Sequence, residues 1–184
     1  DAILIETINI HGEYTRRDNL YFKQFLMADY FDIRGKNEIR DIKHEYLAGE
    51  DNLKFMSITY MFKNDHRDSR NYPLMGYYFD AQLKQSGLGI TKSKVNISRI
   101  TTNFRKYHYI NSGWYVAAGM YAQAYSTKDI PFYFQDGLGF NRYVRSYEPY
   151  VILGQFSGLG KVLLKYQLIK PKIHTLPLIK LEKF

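Results

Sequence analysis

The 184-residue chain has no cysteine, which excludes disulfide stapling and thiolate chemistry. Acidic residues are in deficit, 18 against 26 Lys and Arg, for a net charge of +8. Such a balance suits nucleic acid, lipopolysaccharide or lipid phosphate. The basic residues stand singly or in pairs and never form a run of five, and no basic aromatic face can be drawn, so no nucleic-acid partner is expected. No apolar run approaches the ~20 residues that a membrane helix needs. That excludes a helical span but not barrel strands, which alternate apolar-out with polar-in and average to modest hydropathy. The opening Asp1-Ala-Ile-Leu-Ile5 has neither a basic start nor a cleavage site, and reads as the start of a mature chain or of a fragment.

Signatures of chemistry are also missing. No Gly-x-Ser-x-Gly nucleophile motif occurs. His11, His44, His66, His108 and His174 are dispersed with no pair at ligand spacing, so no metal is expected. The run Gly87-Leu-Gly-Ile-Thr-Lys-Ser93 superficially resembles a phosphate loop, but it lacks Gly directly before Lys92 and opens no helix, which favours a tight turn. Asp65, Arg67 and Asp68 could hold a cation, although a turn-stabilising network is the better reading of that spacing. Neither catalysis nor a cofactor is expected.

What the chain does have is aromatic side chains, 18 Tyr and 12 Phe, and alternation. Extended segments are expected over residues 2–12, from their β-branched residues, over 20–31, where alternation is imperfect, over 94–106, between two turns, and, with a period of two, from Lys54 and over 77–86, 114–125 and 161–169. Tyr77, Phe79, Ala81 and Leu83 share one side of the fourth, with Asp80, Gln82 and Lys84 on the other. Val162, Leu164, Tyr166 and Leu168 alternate with Lys161 and Lys165 in the last. Turns are expected over 13–18, 64–76, 87–93 and 107–113. A long charged loop is expected over 32–52, with room for a helical turn at 37–45. Aromatic residues gather near strand ends, at Tyr60, Phe62, Tyr77, Tyr78, Phe79, Tyr107, Tyr109 and Trp114, as an interfacial girdle requires. Alternation alone leaves two all-β architectures open, a soluble sandwich with a Tyr-rich core and a membrane barrel wall. One domain is the default at this length.

The segment Asp136 to Tyr150 breaks the alternation. It sets Arg142 and Arg145 among Phe140, Tyr143, Tyr147 and Tyr150, with Gly137 and Gly139 loosening the backbone and Pro149 ending any ladder. Such a loop has enough apolar surface to fold inward.

Two blocks carry a family resemblance. Asn64 to Phe79, with Asp65, Arg67, Asp68, Pro73 and Gly76, resembles the "D-x-R-D, then Pro-x-x-Gly" turn of the BamA/TamA outer-membrane assembly family, the bacterial surface antigen barrels. Pro131 to Glu148 is similar to that family's sixth extracellular loop, its motif falling on Gly139, Val144, Arg145, Ser146, Tyr147 and Glu148. Ser146 stands where the family usually has Gly. The resemblance covers about residues 50–170 and implies an all-β fold: an antiparallel meander of seven strands, β6 to β12 of a sixteen-stranded transmembrane barrel, residues 1–184 being a partial barrel domain whose loop 126–160 folds inward. It places 32–52 outside and the turns near 14–18, 64–75 and 107–113 in the periplasm, and makes the chain a piece of a larger protein.

The resemblance further implies a multi-pass protein of the Gram-negative outer membrane that is not an enzyme. Its partners would be outer-membrane lipid and lipopolysaccharide, client outer-membrane proteins, and accessory lipoproteins or other subunits of an assembly complex. Arg145 would sit in the lumen and pair with acidic residues on later strands. The alternative within the fold is a secretion or translocation pore, or a membrane anchor for another activity.

Overall fold

The computed structural model describes residues 5–35, 52–91, 94–138, 152–169, 172–175 and 180–183. Seven strands form one antiparallel sheet in chain order: β1 (Ile5–Arg17), β2 (Phe22–Gly35), β3 (Asn52–Asp65), β4 (Gly76–Ser86), β5 (Ile97–Asn111), β6 (Trp114–Tyr125) and β7 (Phe156–Tyr166). The expected all-β meander, with every neighbour paired to the next, is therefore the observed fold. Each strand has 11 to 15 residues, enough for the ~9–11 tilted residues that cross a bilayer. A separate two-stranded hairpin, β8 (Lys172–Thr175) with β9 (Lys180–Lys183), was not expected from the alternation. Four-residue strands are too short to show a period.

Register sorts the side chains. Across the ladder, Tyr14, Leu26, Tyr60, Leu83, Ile100 and Ala124 form one row on one face. Glu13, Met27, Thr59, Lys84, Arg99 and Tyr125 form the adjacent row on the other. The first face carries Ile8, Ile10, Ile58, Phe104, Met120, Val162 and Leu164, all exposed, with Val162 at 79%. A contiguous exposed apolar face of this size marks a surface made for something other than water. The second face carries Asp29, Ser57, Thr59, Asp80, Thr101 and Gln123, all buried. Tyr77, Phe79, Ala81 and Leu83 lie on the apolar face, and Asp80, Gln82 and Lys84 on the polar one, matching the expected sidedness.

Element ends differ from expectation in instructive ways. Residues 13–17 are strand rather than turn: Glu13 and Thr15 face the polar side, where charge costs nothing, and the turn is confined to 18–21. Asn19 caps it, its Oδ1 accepting from Tyr21 N at 2.8 Å and Phe22 N at 2.7 Å, so Leu20 belongs to the turn and not to β2. Residues 107–111 continue β5, and the reversal needs only Ser112 and Gly113, with φ of 47° and 87°. Two residues with positive φ match the right-handed twist of the flanking strands.

β7 starts at Phe156, so residues 156–160 are strand and not loop. Gly158 and Gly160 disfavour a strand locally, but pairing with Ala122 and Met120 of β6 overrides that preference. The strand ends at Tyr166. Leu168 therefore lies beyond it, 87% exposed in a bend, and does not continue the apolar row. The helical turn considered at 37–45 falls outside the described residues.

The packed core lies on the polar face at one end of the sheet only. Ile33, Leu53, Phe55, Val95, Ile97 and Tyr125 cluster there with Ile130, joined by Phe31, Tyr133 and Phe134. Ile130, Tyr133 and Phe134 come from the chain after β6 and identify what covers that end: the segment 126–138.

Candidate functional site

The segment leaving β6 turns back onto the polar face. Ser126 N donates to the Ser98 carbonyl at 2.9 Å, and Ser98 N returns a bond to Ser126 Oγ at 3.1 Å. Pro131 then starts a single 3-10 turn, Phe132–Phe134, closed by Phe134 N on the Pro131 carbonyl at 2.9 Å. Proline supplies the fixed φ that begins such a turn and has no N–H to leave unpaired. The turn delivers Phe134 to Phe55, with centroids 5.0 Å apart, and Tyr133 edge-on to the same ring at 6.4 Å. Phe55 stacks in turn on Phe31 at 4.9 Å and 18°.

Polar groups fix the depth of insertion. Tyr121, Gln123 and Tyr125 point to one side of β6, two residues apart. Tyr121 Oη donates to Gln123 Oε1. Gln123 Nε2 donates to the Asp136 carbonyl and to Tyr125 Oη, both at 2.8 Å. Tyr125 Oη donates to the Phe134 carbonyl at 3.0 Å and accepts from Asp136 N at 2.8 Å. The Asp136 carboxylate pairs with Arg99 of β5. Arg99, Gln123 and Tyr125 thus hold residues 134–136 to the wall, and burying these groups is tolerable because each is satisfied. The neck of the loop is closed by a two-way bridge between Leu138 and Ile152, at 3.0 and 2.8 Å. Gly139, Val144, Arg145, Ser146, Tyr147 and Glu148 lie outside the described residues.

At the other end of the sheet, the β3–β4 connection is a network rather than a cation site. Arg67 forms a fork on Asp65, Nε to Oδ1 at 2.8 Å and Nη2 to Oδ2 at 2.9 Å. The Asp65 bond is the largest cause holding the Arg67 guanidinium above its ordinary pKa. Arg67 also lies over the Tyr78 ring, 4.7 Å from its centroid. Asp68 Oδ1 accepts from Ser69 N at 2.8 Å and Leu74 N at 3.0 Å, the local bonding that makes Asp a turn residue. Gly76 is required by backbone geometry: its φ is 98°, and a β-carbon there would stand 2.0 Å from the His66 carbonyl oxygen. Pro73 is buried, and its carbonyl accepts from Lys165 Nζ at 3.0 Å, so the turn reaches across the polar face to β7.

Exchange of Arg67 for Lys is expected to cost about 1 kcal/mol, since a point charge cannot reproduce the fork. Arg67→Ala is expected to cost about 1–3 kcal/mol, because Asp65 loses the two-point fork and keeps, among the described residues, the backbone N–H of residue 67 at 3.3 Å and Arg70 at 3.7 Å. Denaturant unfolding of both variants checks the ranking, and equal stabilities would contradict it.

Sequence reasoning brought the turn residues Asp65, Arg67, Asp68, Pro73 and Gly76 to attention and missed the loop clamp. Its one available signal was polar Gln123 between two Tyr on the inward side of an otherwise Ala-rich strand. Among the described residues, no three His, Asp or Glu side chains are grouped to hold a metal. The site binds and positions a loop; its described groups do not form a nucleophile with a base.

No curated protein sequence matches the chain. A family model described as the Omp85 superfamily domain matches residues 9–153, from β1 to just past the Leu138–Ile152 bridge. That span exceeds half of the chain, and the two-faced meander is what one side of a barrel requires. The chain belongs to the Omp85 superfamily, outer-membrane β-barrel proteins of assembly and translocation that are not enzymes.

Proposed function

We propose that the protein is an outer-membrane barrel of the BamA/TamA type that helps insert other outer-membrane proteins. The observation that supports this most is the loop clamp: within the matched region, segment 126–138 is fastened to the polar face by Arg99, Gln123, Tyr125 and Phe55. A wall that only anchors another activity has no need of a loop held at fixed depth. In this reading the apolar face meets lipid of a Gram-negative outer membrane, and the polar face lines the lumen of a sixteen-stranded barrel. Lipopolysaccharide, client strands and accessory lipoproteins are its partners. Insertion proceeds without a cofactor, by thinning lipid locally and offering a strand edge with which a client can pair.

Depletion of the full-length protein in its host tests this. Many unrelated outer-membrane barrels should fall in abundance together. Loss of one exported protein with unchanged barrel levels would instead establish a secretion pore. The same assay tests the motif at Val144-Arg145-Ser146, to which we assign pairing with a lumenal carboxylate. Arg145→Ala is expected to fail to complement and Arg145→Lys to complement in part, because only the guanidinium fork holds a carboxylate at two points. Full complementation by Arg145→Ala would remove that role.

A further inference from the structure

The polar face of β5 to β7 carries a feature that neither the loop clamp nor the β3–β4 turn uses. Register places Arg105, Gly119 and Lys161 side by side across three strands. With neighbouring strands about 4.8 Å apart, two cations flank a floor that has no side chain. The Arg105 stem leans over that floor, since a β-carbon on Gly119 would lie 3.6 Å from Arg105 Cγ. Asn71 and Tyr72 roof the space and Tyr107 and Leu163 stand at its sides, in a cleft of about 990 Å³.

Among the described residues, the cations of this cleft are not matched by carboxylates. Lys165 is engaged by the turn, its Nζ bonded to the Pro73 carbonyl and 4.2 Å over the Tyr72 ring. Arg105 has the Tyr78 ring, 5.6 Å from its guanidinium carbon. Neither Arg105 nor Lys161 has a carboxylate within ion-pair distance among the described residues. The nearby acids on the same face are committed elsewhere. Asp80 accepts from Asn103 Nδ2 at 3.0 Å and faces Lys63 in register. Asp65 serves Arg67 and Arg70. Two cations in a concave wall, with no carboxylate partner among the described residues, focus positive potential on the space between them.

We propose that this cleft docks an acidic stretch of polypeptide, an Asp or Glu side chain bridging Arg105 and Lys161 while apolar neighbours pack on Tyr107 and Leu163. A free inorganic anion satisfies the cations but leaves most of the volume and both apolar walls unused. The cleft is at the upper end of the roughly 300–1,000 Å³ of ligand pockets, and mixed apolar and cationic lining fits a side-chain-bearing chain. The proposal rests on the polar face being a water-filled lumen and holds for an assembly barrel or a secretion pore alike.

The test is fluorescence anisotropy of a rhodamine-labelled peptide of alternating Asp and Leu, titrated with the full-length protein in detergent at low salt. The acidic peptide should bind about tenfold more tightly than the same peptide with Asn for Asp. The double variant Arg105→Gln/Lys161→Gln should lose about the same factor, whereas Lys94→Gln, on the exposed approach to β5, should leave binding unchanged. Equal binding of the two peptides, an unaffected double variant, or inorganic phosphate alone binding as tightly as the peptide would overturn the proposal. Labelling of Lys161→Cys by a water-soluble maleimide separates the two levels. Reaction at that site together with peptide failure removes the docking proposal alone, and absence of reaction removes the lumen reading with it.

Discussion

Replacing Phe55 by Ala is expected to destabilise the folded protein by about 3–5 kcal/mol, the range for emptying a buried aromatic site. Phe55 is 1% exposed and is the largest fully buried side chain among the described residues. Its ring joins two things that the chain brings together from far apart: the wall, through Phe31, and the loop, through Phe134 and Tyr133. The Phe55→Ala change would leave both loop rings facing a cavity, and the polar bonds of the Arg99, Gln123 and Tyr125 side chains to residues 134–136 would bear the docking. Phe25 serves as the comparison. It lies on β2, on the same face of the sheet as Phe55 on β3, away from the loop and beneath Lys63 at 5.0 Å, and is only half-buried, so Phe25→Ala should cost roughly half as much. Denaturant unfolding in lipid vesicles gives the two energies. Limited chymotrypsin digestion gives the mechanism, because Tyr133 and Phe134 should become cleavable in Phe55→Ala and stay protected in Phe25→Ala. A Phe55→Ala protein of unchanged stability and unchanged digestion would show that the loop is held by its polar bonds only.

The alternation of residues 77–86 was enough to assign each of its side chains to the correct face, because the period of two is fixed by the pleat and a register slip would bury Asp80 among Phe and Leu. The same reasoning placed the strands from Lys54, over 114–125 and over 161–169, while β-branched content and flanking turns marked the others. It failed where chain ends of strands rise beyond the apolar belt, as at Glu13 to Arg17 and Tyr107 to Asn111, since charge and polarity there signal a turn while the ladder simply continues. The expected start of the last strand at 161 was late by five residues: Gly158 and Gly160 have weak strand preference, and the pairing with Ala122 and Met120 that overrides it is not a local signal. The turn motif was legible because Asp68, Pro73 and Gly76 act through local backbone rules. The loop clamp was not, because Gln123, Arg99 and Phe55 meet residues 134–136 only through tertiary contact, which no local pattern encodes.

The central claim is that the apolar face of this sheet meets lipid and the polar face lines a lumen. Ala81 and Gln82 test it most directly, as adjacent residues at the middle of β4 that point to opposite sides, Ala81 in the row of Phe62 and Thr102, Gln82 in the row of Met61 and Thr101. The measurement is the folding free energy of Ala81→Arg and Gln82→Arg in lipid vesicles, using the full-length protein. Ala81→Arg should cost ~2–4 kcal/mol, the value for a guanidinium at the bilayer midplane, and Gln82→Arg should be nearly neutral. Equal costs at the two positions, or the larger cost at Gln82, would contradict a membrane-embedded wall with these faces.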